Sequence, residues 1–91
     1  MEIPLEKYLG FNFHTWRVKL QLQLMNKNLW GIVNGTETVP TDLNKILEWQ
    51  SKDDKAKAII GLALSNFELH HIKLEDSSKV ILESLSKLFG A

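Results

Sequence analysis

Apolar residues fall on two helical stripes between Asn12 and Trp30. On a 100° wheel Phe13, Trp16, Leu20 and Leu24 gather on one face, and Val18, Leu22, Met25 and Leu29 on a second, nearly opposite one. The strict alternation over residues 18–24, taken alone, argues for a half-buried strand. Composition argues against it. Leu, Lys, Gln, Arg and Met are good helix formers, Val18 is the one β-branched residue in the stretch after Thr15, and no Gly or Pro interrupts residues 11–30. Asn12 is placed to supply the N-cap. A helix apolar on two sides is expected at the centre of a bundle. A final apolar turn, Leu29-Trp30-Gly31-Ile32-Val33, is then expected to end at the breakers Gly31 and Asn34-Gly35.

After Pro40, Thr41 or Asp42 can cap a helix carrying Leu43, Ile46 and Leu47, and Ser51 with Asp54 gives a possible second start. One bent helix or two short ones fit this pattern. From Trp49 onward Ala56, Ile59, Ile60, Ala63 and Leu64 keep helical spacing, with Lys52, Asp53, Lys55 and Lys57 expected on the wet side. Ser65-Asn66-Phe67-Glu68 reads as a capping box opening a short helix through Leu69 and Ile72. Asp76 or Ser77 opens the last helix, where Ile81, Leu82, Leu85, Leu88 and Phe89 form one stripe and Gly90 stands at the C-terminal cap. The pattern predicts an all-α bundle of about five helices. Its expected core is Phe13, Trp16, Leu20, Leu24, Leu29, Trp30, Val33, Trp49, Ala56, Ile60, Leu64, Leu82 and Leu85.

Ninety-one residues suit one small helical domain spanning 1–91. Folding at this size hides only about 60 to 65% of the unfolded chain's surface, so much remains for partners. Eleven Lys+Arg balance eleven Asp+Glu. Modules that replace phosphate counterions commonly carry a basic excess, so direct RNA binding is not expected. The charges are nonetheless uneven: Arg17, Lys19, Lys27 and His14 make residues 1–35 mildly basic, while residues 36–68 hold six acids against four bases. Such a division can guide like subunits to meet head to tail or bind a phosphate weakly, although most surface charge simply keeps a domain soluble. Without Cys there is no disulfide, thiolate zinc site or cysteine nucleophile. No apolar run approaches the ~18 residues of a membrane span and Met1-Glu2-Ile3-Pro4 does not open a signal peptide, so a cytoplasmic protein is expected.

Candidate chemistry is sparse. His70-His71 is the most visible pair, with His14 as a conceivable third ligand. Neighbouring helical residues point about 100° apart, however, whereas helical metal pairs use i and i+3 or i+4. Ser77, Ser78 and Ser84 have no surrounding triad pattern, and Asp53-Asp54 and Glu75-Asp76 are read as acids at helix N-termini. No catalytic, metal-ligating or cofactor-binding residue is nominated. Trp16, Trp30 and Trp49 could stack bases, but their apolar helical positions assign them to the core.

Three motifs in order, Gly10-x-Asn12-Phe13-x-x-Trp16, Leu29-Trp30-x-x-Val33-Asn34-Gly35 and Trp49-x-x-x-Asp53-x-x-Ala56-x-x-x-Ile60-x-x-x-Leu64-Ser65, resemble the N-terminal part of Gag from copia-type LTR retrotransposons. Residues 81–89 resemble that family's last N-terminal helix, with Leu82 where the family usually has Trp. The resemblance implies a capsid N-terminal lobe like that of retroviruses, whose copies, joined to a second helical lobe, build the shell around element RNA. It implies other Gag chains as partners and no enzymatic activity. A complete Gag continues into a second lobe and often a Cys-rich zinc knuckle. A chain ending at Gly90-Ala91 without Cys reads as a lone lobe, either a cut piece or a domesticated copy. The alternative function is therefore a host-adopted module that binds Gag or another host protein.

Overall fold

The computed structural model describes residues 12–90. They form five helices, α1 (Phe13–Asn26), α2 (Trp30–Asn34), α3 (Leu43–Leu62), α4 (Asn66–Leu69) and α5 (Ser78–Phe89), with no strand among the described residues. The alternating stretch 18–24 lies inside α1, as its helix-forming composition requires. Gly10 of the first family-like motif lies outside the described residues.

The α1 terminus differs from the expected one. Asn28 takes a left-handed φ of 60°, the Leu29 N–H donates to the Leu24 carbonyl at 2.8 Å, and the Asn28 N–H donates to Met25 at 3.1 Å. This is a Schellman closure with Asn at its left-handed position, and buried Leu24 and Leu29 supply its usual apolar contact. Having stopped at Asn28, the chain restarts as α2, so Gly31 is inside a helix rather than ending one. The loop folds back over Gly31, whose carbonyl accepts from the Glu37 N–H at 2.9 Å. Gly35 does terminate α2, with φ 88°. At the N-terminus, Asn12 occupies the cap position but makes no side-chain capping bond.

Asp42 caps α3 by accepting from the Asn44 N–H at 2.9 Å. The second start at Ser51 is not used. Good helix formers, including Glu48, Gln50, Lys52, Lys55 and Ala56, keep α3 unbroken for 20 residues. Ser77 opens α5 by accepting from the Val80 N–H. At the far end of α5, Gly90 is needed for close approach: a Cβ there would lie 2.7 Å from the Ser86 carbonyl and 2.9 Å from the Phe13 ring.

Buried Trp16, Leu20, Leu24, Leu29, Val33, Ala56, Ile60, Ala63, Leu64, Ile81, Leu82 and Leu85 form one cluster, with Phe13 and Trp30 packed at its margin. Two expectations are corrected. The second apolar face of α1 is not covered, for Val18, Leu22 and Met25 are exposed and the buried α1 residues all lie on the first face. Among the described residues no helix packs over that face; Leu29 becomes buried because the turn at Asn28 redirects it. Trp49, expected in the core, is half-buried outside the cluster, because the first half of α3 extends past the packed helices.

Candidate functional site

Interior polar side chains join helices. Asp53 is buried on α3, where its Oδ1 accepts from the Ser78 backbone N–H at 2.9 Å and from the Ser78 hydroxyl at 2.6 Å. The carboxylate thereby satisfies a free N–H in the first turn of α5, and its charge stands at the positive end of that helix. Lys57 Nζ lies 3.6 Å from Asp53 Oδ2 and donates to the Leu74 carbonyl at 2.8 Å, fastening the loop before α5. Asp53 is thus neither at its own helix's N-terminus nor on the wet side. The spacing Asp53-x-x-Ala56-x-x-x-Ile60 already put it on the apolar stripe, and that was the signal for a buried acid.

The three tryptophans have different surroundings. Trp16 is buried and its indole N–H donates to the Ala63 carbonyl at 3.0 Å, tying α1 to the end of α3. Trp49 donates to the Glu37 carbonyl at 3.1 Å, and Lys52 pairs with the Glu37 carboxylate at 3.0 Å, so together they hold the loop before α3. Trp30 is half-buried, with the Arg17 guanidinium 5.7 Å from its ring centre. This geometry suits a cation–π contact.

The proposed capping box at Ser65 is a side-chain pair: the Ser65 hydroxyl bonds the buried Glu68 carboxylate, without a Ser65 cap on the backbone. The helix it opens is one turn long and stops before Ile72. His70 and His71 are exposed, and the His71 ring stands edge-on between Phe67 and Phe89 at 5.9 and 5.7 Å. No group of three or more His, Asp or Glu is placed to hold a metal ion among the described residues. Ser78 is committed to Asp53, and Ser77 to the α5 cap.

The surface feature with most chemical character is a groove of about 530 Å3 between α1, α2 and α5. Trp30, Val33 and Leu82 supply its apolar floor, and Arg17, Lys79 and Lys87 its cations. Glu83 also lines it, 2.7 Å from Lys79 Nζ. Hydrogen bonding and charge from Lys79 hold the Glu83 carboxyl below its ordinary value, with a smaller contribution from Lys87. The groove could not be read along the chain, because three separate helices build it.

The buried polar groups of Asp53 and Ser78 join helices and, among the described residues, build no catalytic or metal-binding constellation. Residues 20–91 match the family described as gag-polypeptide of LTR copia-type, and the chain belongs to that family. The motif ending at Trp16 precedes the matched region. No curated protein and no solved structure matches the chain. Membership supports a structural Gag role. No helix among the described residues is long and apolar enough to cross a membrane.

Proposed function

We propose that residues 1–91 form one capsid N-terminal lobe that associates weakly with other Gag chains in building a retrotransposon particle, without catalysis and without direct RNA binding. Family membership across residues 20–91 is the observation that carries this reading, and the all-helical fold is consistent with it. The balanced charge supports protein contacts over phosphate contacts. Assembly would take place in the cytoplasm. Shells suit weak repeated contacts, since packing many copies converts poor single affinities into avidity.

Light scattering and sedimentation over a concentration series test it. The expected result is a monomer at micromolar concentration whose mean mass rises with concentration and falls with added salt. A tight, closed, salt-insensitive dimer would instead favour the domesticated module that engages Gag or a host protein through an apolar two-fold face.

A further inference from the structure

We infer that the groove between α1, α2 and α5 receives residues 43–54 of α3 from a second copy of this chain, an inference that rests on the self-association reading. Two surfaces carry it. The groove is concave, with apolar Trp30, Val33 and Leu82 flanked by Arg17, Lys79 and Lys87. Its counterpart is a convex stripe on α3. Leu43 and Leu47 are 79% and 71% exposed, one turn apart, and contribute nothing to the core. At 100° per residue they and Asp54 lie within about 40° of each other.

Asp54 is the acid on this stripe, whereas Asp42 is turned well off it and caps the helix. Lys45 and Lys52 fall on roughly the opposite side of α3, with Lys52 already paired with Glu37, and exposed Lys55 lies about 100° from the stripe. Lys57 approaches Asp54 at 3.9 Å, but its side chain is largely covered while that of Asp54 is 77% exposed. An apolar pair followed by an exposed acid therefore matches an apolar floor flanked by cations, which is the arrangement of a helix laid in a groove. A groove lined by three cations and one acid, Glu83, is complementary to the exposed Asp54 of that stripe. Since the two surfaces are different patches, the contact is head to tail and continues into a ring or an open array.

Charge exchange in the full chain tests the assignment. Lys87→Glu and Asp54→Lys should each weaken self-association about tenfold in sedimentation equilibrium at low salt, and the double variant should recover to within about threefold of the parent. Leu47→Gln should weaken it too, with circular dichroism unchanged. If single reversals leave association unaltered, or the double variant does not recover, the groove-to-α3 contact is wrong while the parent's association still supports the self-association reading. A parent chain monomeric even at millimolar concentration overturns both.

Discussion

Residues 43–52 and 53–62 of α3 are comparable in helix-forming composition and opposite in surroundings. The second half turns Asp53, Ala56 and Ile60 inward against the core and α5, whereas the first half has no fully buried residue and leaves Leu43 and Leu47 in water. Helix continuity here comes from local propensity and the Asp42 cap, and burial comes from which neighbours the chain can supply. Apolar side chains that the fold does not use are free to serve a contact with another molecule.

The largest effects should therefore fall where the core meets the buried end of α3, which Trp16 of α1 contacts through the Ala63 carbonyl. Trp16→Ala is expected to lower stability by about 3 to 5 kcal/mol, the range for a buried large aromatic. It also leaves the Ala63 carbonyl without its indole donor. Leu47→Gln, at the other end, should change stability by only about 0.5 kcal/mol in either direction, as surface substitutions do. Urea unfolding of the two variants side by side decides the contrast. A loss above about 2 kcal/mol in Leu47→Gln would mean that the first half is packed after all.

Adjacent acids sharpen it further. Asp53→Ala should lower stability by about 2 to 3 kcal/mol, because two donors of Ser78 lose their buried acceptor and Lys57 loses the nearer of its two carboxylates. Asp54→Ala, one residue on and exposed, should stay within about 0.5 kcal/mol of the parent. Hydrogen exchange at the Ser78 amide gives a local reading: protection should fall in the Asp53 variant and persist in the other. Equal losses in both variants would remove the distinction between inward and outward acids.

How much of this was legible depends on which physical scale set each feature. Ala56, Ile60 and Leu64, and Leu82 and Leu85, repeat at helical spacing, and one stripe facing one core is a local pattern. Asn28 was missed because a left-handed Asn is a weaker signal than the glycines that follow it, although Asn tolerates that conformation. The outer face of α1 was misjudged because a wheel shows which residues share a face and not whether a partner helix exists to cover it. Trp49 failed for the same reason. Asp53 was placed by its type, which favours helix starts, when its position on the stripe should have prevailed; its partner Ser78 lies 25 residues away. The groove needed the tertiary arrangement itself.

The smallest expected effect belongs to an exposed pair with the same i,i+4 spacing as Asp53 and Lys57. Lys79 Nζ lies 2.7 Å from Glu83, and both side chains are about half exposed. Hydrogen bonding and charge from Lys79 lower the Glu83 pKa from its ordinary 4.5. A depressed folded-state value means that ionised Glu83 contributes stability above its unfolded value, and that this contribution is lost as pH falls through the lower folded value. The window therefore lies below about pH 4.5, on the acid side of neutrality. Carboxyl titration by nuclear magnetic resonance should give a Glu83 midpoint below 4.5 that rises toward it in Lys79→Ala and in added salt. Melting at pH 7 should scarcely change, since solvent screens an exposed pair. A Glu83 midpoint at or above 4.5 in the parent chain would show that the pair does not hold in solution, leaving Lys79 wholly available to the groove.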